Sequence, residues 1–294
     1  MKILVIGDCI IDHYVYGLVN RQSTEDVTIP VIDFIEEEYR LGGAANLAVN
    51  IKSLSKKLKD EVFISSIISD FTANMLKKKK VSYDSIVLSS KEKPHSAELI
   101  KTRIMHSDSL KQFLRLDNRM SFRSSDIQRY KNKCFYYNGE DFDAVVISDY
   151  NKGLINEFII ERLCSLECPI FVDTKNPDLK MWDKLIGKNV FFKVNQKEWS
   201  IIKNQKPEEK FKFVITNSEK GATLLLSNTV MNFPTEPVKN GSVIGAGDVF
   251  LSALVVKYLE SEGDILQAIV YANKAARRSV EKFGISEVKR DEII

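Results

Sequence analysis

Cysteine and histidine are scarce in this chain of 294 residues, with four of the first and three of the second. Of Cys9, Cys134, Cys164 and Cys168, only the last two lie close together. No second Cys or His pair accompanies them, as a zinc site would require. They are expected to be reduced thiols packed as small apolar groups, and His13, His95 and His106 show no ligand spacing. Proline (7) and glycine (13) are also few, and no repeat, low-complexity tract or Pro/Gly linker separates a second domain. No run approaches the roughly 18 apolar residues that span a bilayer, so no membrane partner is expected. Lys2 precedes only four apolar residues before Gly7-Asp8, which reads as a strand rather than the apolar core of a signal peptide. A cytoplasmic location is the resulting expectation. The net charge of +3 is small, and no basic stripe interleaved with aromatics appears, so no nucleic acid is expected as partner. The most basic run, Lys77 to Lys80, falls where a helix should end.

What the chain does have is an alternation of strand and helix signals. Lys2-Ile6, Val62-Ser65, Ser85-Leu88, Asp143-Ile147, Pro169-Asp173, Val190-Lys193 and Phe213-Thr216 are short apolar runs that read as buried strands. Helical patterns lie between them at Gly42-Lys57, about Phe71-Lys79, near Ile155-Cys164 and at Asn195-Ile202. Two more, about Gly247-Leu259 and Asp264-Lys282, close the chain. This rhythm predicts an α/β fold: a mainly parallel sheet between helices. Two regions break it. Tyr14-Leu18 and Val27-Tyr39 alternate polar with apolar residues, and His95-Met105 and Leu110-Leu116 form a strand pair around the turn at 106–109. They predict a small β-sheet lid, inserted at about 14–39 and 95–117 of a single domain spanning 1–294.

The strongest chemical signal is Gly245-Ala246-Gly247-Asp248, which opens a helix. Small residues let the backbone approach a ligand, and the helix end presents free N–H groups and a positive dipole. Such a nest suits a transferring phosphoryl group. Asp248 in the first turn is placed to take a proton from an attacking hydroxyl. Asp8 and Asp12 follow the first strand, where open parallel sheets bind ligands, and can accept hydrogen bonds from sugar hydroxyls. Gly42 and Gly43 open a further helix in which Asn46 can both donate and accept.

In this order the pieces resemble the ribokinase-like (PfkB) carbohydrate kinases, whose Gly-Gly-x-x-x-Asn and Gly-Ala-Gly-Asp segments are both present; the resemblance covers essentially the whole chain. Within that family the chain is most similar to kinases acting on the anomeric hydroxyl of D-glycero-D-manno-heptose 7-phosphate. The stretches that carry this are Gly7-Asp8 with Asp12 and Tyr14, Arg21-Gln-Ser-Thr-Glu25, Arg115-Leu-Asp117 and, most specifically, Ser148-Asp-Tyr-Asn-Lys-Gly153. The resemblance implies ATP and Mg²⁺ as cofactors. It implies a sugar site of Asp8, Asp12, Gly42, Gly43, Asn46 and Asp149. Lys152 would meet a substrate phosphate or the transferring group, with Arg103 as a second cation. It places Asn195 and Glu198 at magnesium and phosphate, Glu198 through water to the metal. Thr216 to Gly221 would border the nucleotide and Asn273 would lie near the adenine.

Two departures matter. Ser242 and Ile244 replace an Asp and a Thr that precede the Gly-Ala-Gly-Asp motif in relatives, where the Asp helps bind a monovalent cation. A neutral hydroxyl is a poor partner for K⁺, so weak or absent potassium activation is expected. Thr174 stands where heptose kinases often have Pro. Alternatives are a kinase for ribose, fructose or a nucleoside, and a catalytically silent sugar- or nucleotide-binding relative. A dinucleotide enzyme is disfavoured because no Gly-x-Gly-x-x-Gly follows the first strand. Some related heptose kinases are fused to a nucleotidyltransferase, an activity expected here in another polypeptide. The exposed lid sheet invites pairing with a second copy, hence an expected homodimer.

Overall fold

In the computed structural model the described residues are 1–26, 28–56, 59–89, 99–118, 122–133, 142–227, 229–239 and 241–293. The candidate strand start at 95–98, the helix end at 57, and Cys134 and His95 lie outside them.

The first strand, β1 (Lys2–Gly7), shows how the sheet organises the core. Successive side chains of a strand point to opposite faces. Ile3 and Val5 enter one buried cluster, and Leu4 and Ile6 enter another on the far side. Being apolar on both faces, β1 can only be central, and it pairs in parallel with β4 (Glu61–Ser65) and β10 (Ala144–Asp149). Beyond β10 come β11 (Ile170–Thr174), β12 (Val190–Asn195) and β13 (Lys212–Thr216), all parallel. The antiparallel pair β14 (Ala222–Leu226) and β15 (Thr229–Phe233) follows. A two-residue strand, β6 (Ser82–Tyr83), closes the other edge of this nine-stranded sheet.

One face is covered by α1 (Ala44–Leu54), α2 (Asp70–Lys78), α6 (Ala246–Glu260) and α7 (Ile265–Val280). The other carries α3 (Ser124–Lys133), α4 (Glu157–Cys164) and α5 (Gln196–Ile202). The sequence of α6 is apolar on nearly every side, as suits a helix buried all round, and residues 248 to 256 are all buried. By contrast α7 buries one stripe (Ala268, Ile269, Ala272, Ala275, Ser279) and is capped by the Asp264 side chain, which accepts from the amides of Leu266 and Gln267.

The expected small sheet is present and longer than the sequence suggests. It has four strands in the order β3-β2-β8-β9: β2 (Cys9–Gln22), β3 (Pro30–Gly43), β8 (Leu99–His106) and β9 (Gln112–Asp117). Two corrections follow. Gly42 and Gly43 lie ahead of the helix rather than in it: they are the last residues of β3, and Gly43 is also the N-cap of α1, which starts at Ala44. The stretch Ser85-Leu88 is not part of the main sheet, since Ile86–Leu88 (β7) pairs only with Ile67–Ser69 (β5). Lys77 to Lys80 does end a helix. The three described cysteines are free thiols.

Candidate active site

The chain places its candidate residues along one edge of the sheet. Asp8 follows β1, Asp149 ends β10, Thr174 ends β11, Asn195 ends β12 and Thr216 ends β13. These strands are parallel, so this is their common C-terminal edge, where open α/β sheets bind ligands.

Asp248 lies in the first turn of α6 and is 7 % exposed. The turn before it is left-handed at Gly245 (φ 79°), a conformation that a side chain would strain. The Asn46 amide donates to Asp248 Oδ2 over 2.8 Å. Asn46 is itself aimed by Asn50, whose amide donates to Asn46 Oδ1 at 2.8 Å while Asn50 Oδ1 accepts from the Val288 amide. Burial pushes the Asp248 carboxyl up to about 6; the Asn46 hydrogen bond works against this, and the negative charge of Asp173 adds to it. The result is a carboxylate still mostly ionised near neutral pH and basic enough to accept a proton.

Behind the Gly245-Gly247 turn runs a chain of charges that the sequence reading did not single out. Lys193 is buried in β12, and its Nζ lies 3.0 Å from where a Cβ on Gly247 would stand. It pairs with Asp173 at 2.5 Å; Asp173 also pairs with Lys175 at 2.7 Å, and Lys175 with Glu198 at 2.7 Å. Burial would raise the Asp173 carboxyl, but the two ammonium groups outweigh it and hold it down to about 2. Lys175 loses by burial and gains more from Asp173 and Glu198, so its pKa is raised. The signal was there: a lysine in the apolar run Val190-Phe-Phe-Lys-Val194 must find a buried partner. At the end of the chain, Glu198 and Asn195 form a capping box, with Glu198 Oε2 accepting from the Asn195 amide at 2.8 Å.

Asp8 and Asp12 hold the other side. Asp12 accepts from Arg103 Nε and Nη2 at 3.2 and 3.0 Å, and both side chains are buried. A Cβ on Gly42 would stand 2.4 Å from Asp12 Oδ2, and one on Gly43 (φ 56°) 2.4 Å from the Asp8 carbonyl. The paired glycines are therefore explained by the close passage of β3 over these two residues. Asp8 Oδ2 accepts from the Tyr150 amide at 2.7 Å, whereas Oδ1 is buried without a partner. Burial first, then the nearby charge of Asp149, pushes Asp8 up to about 7. Asp149 is fixed differently: it accepts from the Thr174 hydroxyl at 2.6 Å and the Asn151 amide at 2.8 Å. Thr174, at a position where Pro would lack a donor, thus orients Asp149. Lys152 is half-buried and its charge bears on Asp8.

The last group gathers at the antiparallel end. Gly221 (φ 89°) brings its Cα so close to β15 that a Cβ would lie 2.1 Å from the Phe233 carbonyl. The Asn273 amide of α7 donates to that same oxygen at 2.9 Å. Beside them an open cleft of about 710 Å³ is lined by residues that include Gln196, Asn217, Lys220, Thr223 and Pro234. The Thr216 hydroxyl donates to the Val194 carbonyl, within the sheet rather than towards the cleft.

The bifunctional protein HldE of Campylobacter curvus is 31 % identical over all of this chain and 64 % of its own length, and that of Histophilus somni is 30 % identical over 99 % and 62 %. The chain thus spans less than two thirds of the length of these curated relatives. Among solved structures, phosphofructokinase-2 from Escherichia coli in complex with potassium superposes with a TM-score of 0.77 at 15 % identity, covering 99 % of this chain and 96 % of that one. A ribokinase from Thermotoga maritima gives 0.71 at 17 %, with coverage of 100 % and 98 %. Those likenesses establish the ribokinase-like fold. The model of the pfkB family of carbohydrate kinases matches residues 1–291. The chain belongs to that family, whose chemistry is phosphoryl transfer to a sugar hydroxyl.

Proposed function

We propose that this chain is an ATP-dependent kinase that phosphorylates a sugar phosphate, with the anomeric hydroxyl of D-glycero-D-manno-heptose 7-phosphate as acceptor. The observation that carries the reading is Asp248. It is a buried carboxylate of raised pKa, oriented by Asn46, at a helix N-terminus directly after a Gly-Ala-Gly turn with the Lys193 ammonium behind it. The acceptor hydroxyl loses its proton to Asp248 as its oxygen bonds to the γ-phosphorus of ATP, while the bond from that phosphorus to the bridging oxygen breaks and ADP leaves. The amides of Gly245, Ala246 and Gly247 receive the charge on the phosphoryl oxygens. Asp8, Asp12, Asn46 and Asp149, with Gly42 and Gly43 giving room, hold the sugar, and Lys152 and Arg103 supply positive charge. Asp12 already neutralises Arg103, so Arg103 acts on the sugar chiefly by setting the Asp12 carboxylate. The nucleotide takes the cleft beside Thr216, Gly221 and Asn273.

Among the described residues no three His, Cys, Asp or Glu side chains converge as a metal site. Glu198, engaged by Lys175 and the Asn195 amide, fits a role through water rather than direct ligation. Magnesium, when bound, would neutralise the phosphate oxygens. The match of Ser148-Asp-Tyr-Asn-Lys-Gly153 to heptose 7-phosphate kinases and the identity with HldE proteins support the acceptor.

The small sheet exposes Phe34, Ile35, Tyr39, Leu114 and Leu116, apolar groups that support a homodimer through this sheet, which sedimentation velocity would decide. No described helix is long and apolar enough to cross a membrane. The main test is a coupled ADP-release screen over sugar phosphates and free sugars. Heptose 7-phosphate should give the highest kcat/KM, and Asp248→Asn should nearly abolish turnover while ATP and sugar binding persist. Near-normal turnover of Asp248→Asn refutes the base.

A further inference from the structure

Most basic side chains facing the site are neutralised by carboxylates. Arg103 pairs with Asp12, Lys193 with Asp173, and Lys175 with both Asp173 and Glu198. Lys101 is different. It stands on β8, level with Asp12 across the ladder to β2 and with Asp117 across the ladder to β9. Two residues along the same strand is Arg103, so the two side chains leave the same face of the small sheet. That face is turned to the body, where the Lys101 Nζ lies 4.5 Å from the centre of the Tyr150 ring. The ring gives a favourable but weak electrostatic contact.

Among the described residues the half-buried Lys101 side chain makes no hydrogen bond or ion pair. An ammonium carries three donors, and one drawn out of water without an acceptor is costly. Burial holds the Lys101 pKa below the usual lysine range; the carboxylates that work against this are Asp12 and, next, Asp248. Lys101 therefore sits within electrostatic reach of both the proposed sugar-holding carboxylate and the proposed base, and its hydrogen bonds are left for a ligand.

We infer that Lys101 is a phosphoryl-binding residue of the acceptor side of the pocket, its ammonium donating to a phosphoryl oxygen placed between Asp12 and Asp248. This rests on the kinase reading above and adds to it a residue that neither the motifs nor the family comparison singled out. The phosphoryl group has two possible sources with the same chemistry, the ester phosphate of the acceptor or the group in transfer. In either case a bound anion joins β8 of the small sheet to the Tyr150 turn of the body and draws the sheet closed over the site.

The experiment compares the full chain with Lys101→Met, which keeps length without charge, Lys101→Gln as a second neutral variant, and Lys101→Arg. Steady-state kinetics use the best sugar phosphate from the ADP-release screen and its dephosphorylated counterpart. Isothermal titration with inorganic phosphate gives a readout free of turnover, and melting curves establish which variants fold. The neutral variants should lose about tenfold or more, as expected for a hydrogen bond to a charged group, and Lys101→Arg should recover most of it. A higher KM for the phosphorylated acceptor alone assigns Lys101 to the ester phosphate. An equal fall in kcat with both acceptors assigns it to the group in transfer. Folded neutral variants with unchanged kinetics overturn the inference. If the wild-type chain phosphorylates no sugar, the kinase reading fails, and the phosphate titration alone decides: weaker binding in the neutral variants supports the inference, equal binding overturns it.

Discussion

Asn46→Ala should move the acid limb of the pH–rate profile to higher pH. Asp248 stands at about 6, raised first by burial, and the Asn46 hydrogen bond is the largest influence holding it down. That bond is 2.8 Å long, buried, and accepted by a carboxylate. Hydrogen bonds to charged groups contribute about 1.5–3 kcal/mol, and 1.36 kcal/mol is one pH unit, so losing it raises the carboxyl by about one to two units. Water entering the space left by the truncated side chain favours the lower figure. The sign follows from the base's role: protonated Asp248 cannot accept a proton, so a higher pKa extends the inactive form upward in pH. At pH 7 a base of pKa about 6 is about nine-tenths ionised, and one shifted up by about 1.5 units is about one-quarter ionised, a loss of about fourfold from ionisation alone. The alkaline plateau loses only what Asn46 contributes to holding substrate. The assay is kcat/KM for the acceptor between pH 5 and 9, which reports the free enzyme, with melting curves to establish folding. An acid limb that stays in place, or moves to lower pH, refutes the reasoning. Asn50→Ala, which frees Asn46 to rotate, should move the limb in the same direction by less.

Two further predictions concern buried or altered polar groups. The Asp8 carboxyl is raised by burial and by Asp149 from 3.8 to about 7, so its contribution to stability is present below the unfolded value and lost as pH rises through the folded one. Asp8→Asn, which keeps an acceptor for the Tyr150 amide, should therefore melt a few degrees above wild type at pH 8, the difference shrinking as pH falls and vanishing near the unfolded value of 3.8, while losing sugar binding; no rise at pH 8 counts against a buried charge there. Ser242 already accepts from the Gly284 amide at 3.2 Å, and replacing Na⁺ with K⁺ should leave the rate unchanged, whereas strong potassium activation would show that the site works without the carboxylate.

Much of the architecture was legible because strands buried on both faces leave a clear signature. Runs such as Ile3-Leu4-Val5-Ile6 have no polar side to turn outward, and Gly-Ala-Gly-Asp marks its own turn. The small sheet was legible only in outline. β3 carries Glu36, Glu37 and Glu38 in succession, and the register of β2 against β3 shifts after Tyr16, so strict alternation fails where the strands continue. Gly42 and Gly43 looked like a helix start because the sequence does not reveal that β3 must pass within van der Waals contact of Asp8 and Asp12. The hairpin of β14 and β15 and the helix α3 were not anticipated, since Ala222-Leu226 is bounded by no distinctive turn pair and α3 buries only Tyr130. Lys193, Asp173 and Lys175 stayed hidden because their meaning is a set of contacts between two strands and a loop. The sequence shows only that Lys193, set in an apolar run, needs a buried partner, and not which one.

The ends of the β2–β3 excursion meet at one point. Asp8 leaves β1, Ala44 begins α1, and the Ala44 amide donates to the Asp8 carbonyl at 3.0 Å. A segment that departs and returns through a single hydrogen bond is an insertion in the topological sense: a short turn in its place would leave β1 and α1 where they are. Asp12 and Arg40 travel with the insertion, whereas Asp248, Lys193 and Asp173 belong to the body it is inserted into. Of the residues proposed to hold the acceptor, Asp12, Gly42 and Gly43 thus lie on a separable piece of chain while Asp8, Asn46, Asp149 and Lys152 stay with the body, so exchanging this segment between relatives should change sugar affinity without rebuilding the proposed transfer machinery.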